Sequence, residues 1–120
     1  MVYPGDDPNL PFSKAVRVGD TLYVAGHLGI DPARGTPPTD PAAEARAMLD
    51  AFAATLSRAG MRMSNLVQVQ VFCSDVALYE TFNREYRSRF SADFPARAFV
   101  GSGTLLRGAR FEITGIAVGR

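Results

Sequence analysis

The sequence has few of the residues that build metal sites and cross-links, with one cysteine and one histidine among 120 residues. Cys73 has no second cysteine to pair with, so no disulfide can form within the chain. His27 has no other histidine and no cysteine near it in the sequence, whereas a zinc site needs three or four such ligands. The sequence therefore predicts no metal site.

The chain also lacks an excess of charge of either sign, because 13 basic and 12 acidic residues leave a net charge of +1. Proteins that bind nucleic acid carry a basic patch or stripe, and none is visible here. No run approaches the roughly 20 apolar residues of a membrane helix. Residues 1–8 contain acids where a signal peptide would carry bases. These absences predict a cytoplasmic protein whose partners are neither nucleic acid nor membrane.

The composition is that of an ordinary globular domain, with 47% apolar and 21% charged residues. A chain of this length can bury a core without covalent support, so residues 1–120 are predicted to form a single domain. Residues 1–11 are rich in proline, glycine and aspartate, and we expect an irregular N-terminal lead-in there. Two β-prone runs then flank Gly19 and Asp20, which indicates a hairpin with a tight turn.

The first helix has clear start and stop signals. Asp40 is a typical N-cap, Pro41 suits the first helical position, and Gly60 suits the left-handed residue after the last turn. The apolar residues between them recur at spacings of three and four, which places them on one helix face. That face consists of Ala45, Leu49, Phe52, Leu56 and Ala59.

Residues 66–73 alternate as a strand does. The pattern places Val67, Val69, Val71 and Cys73 on one face, and Leu66, Gln68, Gln70 and Phe72 on the other. The second face mixes polar and apolar residues, and such a face often packs on another subunit. We expect Ser74 and Asp75 to cap a second helix, whose apolar stripe is formed by Tyr79, Phe82, Tyr86 and Phe90. The predicted order β-β-α-β-α-β-β indicates an α+β two-layer fold, a mixed sheet with two helices on one face.

Two charged residues near the C-terminus are candidates for a small-molecule site. Pro95 favours extended backbone, so Arg97 should lie at the start of a strand, and Glu112 lies in the next one. A guanidinium is permanently charged and fork-shaped, which suits two hydrogen bonds to a carboxylate. From these residues alone, an ordinary ion pair and two solvated surface charges are also open interpretations.

Six segments, in this order and spacing, resemble the RidA (YjgF) family of reactive-intermediate deaminases over nearly the whole chain. They are Pro11–Val16, Tyr23–Pro32, Val71–Asp75, Phe82–Tyr86, Phe94–Arg97 and Phe111–Val118. The resemblance implies a chorismate-mutase-like fold and a homotrimer around a barrel-like centre, with three clefts at the subunit interfaces. It also implies hydrolysis of enamine/imine acids such as 2-aminoacrylate and 2-iminopropionate to 2-keto acids and ammonia. No metal or organic cofactor is implied.

The resemblance assigns roles to particular residues. Arg97 matches the arginine that holds the substrate carboxylate, and Glu112 matches the acid that positions the attacking water. Asn83 matches an asparagine near the cleft, and Gly26 a glycine of the loop that lines it. The backbone of Phe99 takes the place of a residue whose carbonyl helps to hold water.

Five positions depart from the common pattern of that family. Phe12 stands where tyrosine is usual, Ala25 and Ala98 replace serines, Phe99 replaces a cysteine or small residue, and His27 stands where glutamine is frequent. These changes make the predicted pocket less polar while keeping Arg97 and Glu112. Two alternatives follow, a deaminase of a larger, aminomuconate-type imino acid and a non-catalytic trimer that binds small acids. The near-neutral charge makes a ribonuclease the least favoured alternative.

Overall fold

The computed structural model describes residues 1–119, which form one six-stranded sheet and two α-helices. The strands are β1 (Val2–Pro4), β2 (Ser13–Val18), β3 (Thr21–His27), β4 (Leu66–Cys73), β5 (Ala96–Gly101) and β6 (Phe111–Val118). The helices are α1 (Pro41–Arg58) and α2 (Tyr79–Arg87). Within residues 1–119, no helix combines the length and apolar character that crossing a bilayer requires.

The sheet has the order β1-β2-β3-β6-β4-β5. Only β4 and β5 run parallel, and α2 lies in the connection between them, as a parallel crossover requires. Helix α1 packs on β3 and β6 and against α2. The predicted α+β architecture, a mixed sheet with two helices on one face, is confirmed.

Helix α1 follows its sequence signals. The Asp40 side chain accepts a hydrogen bond from the amide of Ala42 at 3.2 Å, and Pro41 occupies the first helical position. Gly60 follows the helix with a φ of 74°, a conformation that glycine adopts without strain. All five residues of the predicted apolar stripe are buried, so this helix is confirmed.

The N-terminal lead-in was predicted wrongly, because residues 2–4 form the edge strand β1. Val2 pairs with Val16 and Tyr3 with Ala15, antiparallel to β2. The N-terminal amino group also donates a hydrogen bond to the Arg17 carbonyl at 2.9 Å. A strand of three residues that includes a proline shows no periodicity of its own. The strand forms because β2 presents an unpaired edge of amide and carbonyl groups.

Two further details differ from the sequence prediction. In β4 the register shifts between Leu66 and Gln68, so Leu66 is buried and Val67 is 41% exposed, the reverse of the expected alternation. An extra residue at an irregularity of this kind reverses the face of every residue before it. Asp75 caps a short 3₁₀ turn, Val76–Leu78, rather than α2 itself, which begins at Tyr79.

The sheet has a helix face and an outer face, and the outer face carries no helix. Paired side chains on β6 and β4 alternate between them, so Ile113 and Val71 are buried beneath the helices whereas Thr114 and Gln70 lie on the outer face. The outer face includes a shallow concavity of about 390 Å³ between β2, β3, β4 and β6. The candidate site residues on the sheet are divided between these two faces.

Candidate active site

Arg97 lies on the edge strand β5, where it pairs with the buried Val69 and therefore points to the helix face. Its guanidinium carbon Cζ lies 4.8 Å from the ring centroid of Tyr86, 5.3 Å from that of Phe99 and 5.8 Å from that of Tyr79. Aromatic faces attract a cation without neutralising it. Among the four ion pairs of residues 1–119, none involves Arg97. An ordinary ion pair within the described chain is thereby excluded, and the guanidinium is available to an acidic ligand.

A pocket of about 210 Å³ lies beside Arg97, and we call it the Arg97 pocket. Its lining residues are Tyr79, Asn83, Tyr86, Arg87, Phe94, Pro95 and Arg97. Asn83 and Tyr86 are three positions apart on α2, so they share one helix face. Pro95 brings the start of β5 opposite that face. The pocket is thus formed where the last turns of α2 meet the sheet edge.

Two residues that line this pocket each carry a polar side-chain atom that is sealed from solvent and has no hydrogen-bond partner in residues 1–119. These atoms are Oδ1 of Asn83 and the hydroxyl of Tyr86, whose residues are 7% and 4% exposed. Burial raises the pKa of Tyr86 to about 12, and the positive charge of Arg97 opposes only part of that rise. The phenol is therefore neutral and able to donate a hydrogen bond at neutral pH.

Glu112 lies on β6 opposite Phe72 and points to the outer face. Its carboxylate rests directly against Gly26, where a side chain would overlap it. The close approach of Glu112 therefore requires a glycine at position 26, which lies on strand β3 rather than in the loop that the resemblance implied. Burial raises the pKa of Glu112 above that of an ordinary glutamate. A carboxylate with a raised pKa is a better proton acceptor near neutral pH.

One chain does not bring Arg97 and Glu112 together, because they lie on opposite faces of the sheet with β4 between them. Apart from Phe12, the predicted site residues therefore fall into two groups. The Arg97 half-site on the helix face contains Asn83, Arg97 and Phe99, and the Glu112 half-site on the outer face contains Ala25, Gly26 and Glu112. A site that uses both charged groups needs a second copy of the chain.

The positions that depart from the family pattern have different surroundings. Phe12 precedes β2 and is 56% exposed, and Ala98 points to the outer face of β5. The ring of Phe99 packs edge-on against Tyr79 and Phe82, with centroids 4.9 and 5.5 Å apart, so it fills core space.

His27 is a buried structural residue. Its Nδ1–H donates to the Ala25 carbonyl at 2.7 Å, and the Thr55 hydroxyl donates to Nε2 at 2.7 Å. The carbonyl can only accept, which fixes this tautomer. Burial lowers the pKa of His27, so the ring is neutral. Within residues 1–119, no three His, Cys, Asp or Glu side chains converge as metal ligands would.

Sequence reasoning missed two residues of this region. Tyr86 was assigned to an apolar stripe, and only its hydroxyl distinguishes it from the phenylalanines of that stripe. Glu44 was placed off the α1 stripe, but it is fully buried. Its carboxylate accepts hydrogen bonds from the amide and Nε of Arg110, at 2.7 and 2.6 Å, immediately before β6. No periodicity predicts this contact, because the partners are 66 residues apart.

Residues 6–119 match the family model described as Endoribonuclease L-PSP, the YjgF/RidA family. The chain belongs to this family. A 2-iminobutanoate/2-iminopropanoate deaminase from Bos taurus is 39% identical over 109 residues, which cover 90% of this chain and 80% of that protein. The family membership confirms the resemblance inferred from the six segments.

Solved structures of the YjgF/RidA family have the same fold. The crystal structure of the YjgF gene product from E. coli matches with a TM-score of 0.87 and 32% identity, covering 98% of this chain and 94% of that one. The crystal structure of E. coli TdcF with bound serine matches with a TM-score of 0.88 and 27% identity, over the same shares of the two chains.

Proposed function

We propose that this protein is a hydrolytic deaminase of small enamine/imine acids of the 2-iminobutanoate/2-iminopropanoate type. The observation that carries the proposal is the guanidinium of Arg97, which faces a pocket with no carboxylate partner in residues 1–119. The deaminase name of the Bos taurus relative supports it, as does the serine bound to TdcF, which is likewise a small molecule with a carboxylate.

In the proposed reaction, Arg97 holds the substrate carboxylate and so fixes the imine carbon in place. The imine nitrogen takes a proton from solvent, water adds to the imine carbon, and one water proton passes to Glu112. Glu112 returns this proton to the nitrogen of the resulting carbinolamine, the carbon–nitrogen bond breaks, and ammonia leaves. The hydroxyl group loses its proton to solvent as the carbonyl forms. The imino acid and one water thus give one 2-keto acid and one ammonia. General acid–base assistance of this kind is worth about 10² to 10⁴ in rate.

We further propose a homotrimer in which the Arg97 half-site of one copy meets the Glu112 half-site of the next. The outer face favours such an assembly, because exposed Val16 and Tyr23 lie there beside Gln68 and Gln70. A mixed, concave surface of this kind is typical of subunit interfaces. A cyclic arrangement of three copies would pair every Arg97 with one Glu112.

Replacing Arg97 tests the proposed function directly. Arg97→Ala removes both the carboxylate contact and the orientation of the substrate, so ammonia release from 2-iminopropanoate should fall at least about 100-fold. Arg97→Lys keeps the charge but loses the fork geometry, so it should recover only part of the rate. The matched control is Arg84→Ala, on the exposed side of α2.

The measurement is ammonia release from imino acid generated in situ by an amino-acid oxidase, with thermal melting to verify folding. An Arg97→Ala variant that retains the parental rate would show that the carboxylate is bound elsewhere. Binding of a 2-keto acid without any ammonia release by the parent protein would instead support a non-catalytic acid-binding trimer.

A larger imino acid is the second candidate substrate, because Phe94 and Tyr79 expose apolar surface at the Arg97 pocket. A panel of imino acids with side chains from methyl to aryl separates the two candidates by kcat/KM. We do not assign the ribonuclease activity that the family description names, because a net charge of +1 supplies little of the electrostatic attraction on which RNA binding depends.

A further inference from the structure

Two side-chain polar atoms are sealed without a hydrogen-bond partner in residues 1–119, Oδ1 of Asn83 and the Tyr86 hydroxyl. Buried polar groups without partners destabilise a fold, and natural proteins keep few of them. Here both occur on one helix face, three positions apart, and both residues line the Arg97 pocket. Their coincidence with an unpaired guanidinium indicates a ligand rather than a packing defect.

The hydroxyl of Tyr86 is not needed for packing. The same stripe of α2 and its extension carry Phe82 and Phe90, whose ring centroids lie 5.7 and 4.9 Å from that of Tyr86. A phenyl ring is therefore accepted by these surroundings, and a phenylalanine at position 86 would avoid an unpaired hydroxyl. The presence of a tyrosine rather than a phenylalanine at position 86 therefore indicates that its hydroxyl has a function in the pocket.

The position of Tyr86 suits contact with an anion held by Arg97. The guanidinium carbon lies 4.8 Å from the Tyr86 ring centroid, and the positive charge of Arg97 acts on the Tyr86 phenol by lowering its pKa, against the larger opposite effect of burial. A carboxylate offers about four lone-pair sites, and a bidentate arginine occupies two of them. A neutral phenol can donate to a third without adding a second positive charge.

We propose that Tyr86 is a further substrate-binding residue, whose hydroxyl donates a hydrogen bond to the carboxylate that Arg97 holds. This inference rests on the proposed function for the identity of the ligand, an acid that bears a 2-imino or 2-keto group. The hydroxyl has no neighbour to bond within residues 1–119 until that acid enters the pocket.

The test is the Tyr86→Phe variant, titrated with pyruvate by calorimetry and melted without ligand. Pyruvate is the 2-keto acid that 2-iminopropanoate would yield. Loss of a hydrogen bond to a charged group should raise the dissociation constant about tenfold. The ligand-free variant should melt at the same or a higher temperature, because an unsatisfied buried hydroxyl is removed. In turnover, KM should rise while kcat stays within about twofold.

The matched control is Tyr3→Phe, in a partly buried tyrosine of β1 that Arg58 covers at 5.8 Å from the ring centroid. It should leave pyruvate affinity unchanged. A Tyr86→Phe dissociation constant less than about threefold above the parental value would overturn the inference, as would a parent protein that binds no pyruvate. A parent that binds pyruvate but releases no ammonia would contradict the proposed function alone.

Discussion

At the scale of single residues, neither Arg97 nor Glu112 forms an ion pair within residues 1–119. Arg97 lies against aromatic rings, which attract its charge but cannot neutralise it. Glu112 lies against a glycine, which allows its carboxylate to be partly buried and raises its pKa. The rings leave the charge of Arg97 unneutralised, and burial disfavours the charged form of Glu112, so both groups remain available to a ligand.

Glu112→Gln should separate stability from activity. The pKa of Glu112 is higher in the folded state, so the folded protein binds a proton at this carboxylate more readily than the unfolded chain does. The contribution of Glu112 to stability is therefore present at acid pH and is lost as pH rises through the folded pKa. The variant should melt higher than the parent at about pH 8, with the gain disappearing near pH 4. Its deaminase rate should fall by about 10² to 10⁴.

The control for this experiment is Glu80→Gln, an exposed glutamate at the start of α2. Melting curves at both pH values and ammonia release are measured on the same preparations. A Glu112→Gln variant that is less stable than the parent at about pH 8 would mean that the carboxylate is stabilised in its charged form.

At the scale of secondary-structure elements, the contact between α1 and β6 determines where Glu112 sits. Glu44 on α1 is fully buried and accepts hydrogen bonds from the amides of Arg110 and Phe111, at 2.7 and 3.3 Å. The Arg110 side chain closes the contact by donating to Glu44 and to the carbonyl of Thr39, at 2.6 and 2.9 Å. The backbone that leads into Glu112 is thus held by α1 and by the loop before it.

Glu44→Ala should destabilise the protein by about 3 kcal/mol, because it leaves a partly buried arginine and two buried amides without their acceptor. The measurement is urea unfolding at one fixed protein concentration. The matched control is Asp50→Ala, which removes an ion pair to Arg89 from an aspartate side chain that is 72% exposed. That change should cost less than about 1 kcal/mol. Equal losses in the two variants would refute a structural role for the buried carboxylate.

At the scale of the whole molecule, the division into two half-sites means that the proposed reaction depends on how many copies of the chain assemble. Arg97 and Glu112 belong to opposite faces of one sheet, so the proposed reaction requires an interface. A non-catalytic binder that used only the Arg97 pocket would have no such requirement. A deaminase with a shared site and a binder that uses only the Arg97 pocket therefore predict different results when two variants are mixed in one oligomer.

Mixed oligomers of Arg97→Ala and Glu112→Gln should regain activity that neither variant has alone. When equal amounts are co-expressed, each site has one chance in two of an intact Arg97 and one in two of an intact Glu112. Roughly a quarter of the parental rate is expected for the unsorted mixture of cyclic trimers, and about a third for the mixed trimers alone, each of which contains one intact site in three. The mixed species are isolated with two different affinity tags and assayed for ammonia release. Mixed oligomers without activity would exclude a site shared between copies.

Local signals in the sequence predicted the elements that depend on neighbouring residues. The capped helix α1, the hairpin at Gly19 and the strand positions of Arg97 and Glu112 all follow from patterns a few residues long. The features that sequence reasoning missed depend on partners distant in the sequence. Strand β1 forms by pairing with β2, and Glu44 is buried because it binds Arg110. The hydroxyl of Tyr86 stands out only because Tyr86 lies beside Arg97. The opposite orientation of Arg97 and Glu112 likewise follows from the sheet order, which no local pattern contains.

The back-to-back placement of the two charged groups has a consequence for the newly synthesised protein. A single chain in dilute solution would carry the carboxylate-binding Arg97 on one face of the sheet and the proton acceptor Glu112 on the other. No single substrate molecule could contact both groups. Under the proposed mechanism, turnover per chain should therefore vanish on extreme dilution and return on concentration, because a complete site would form only between copies.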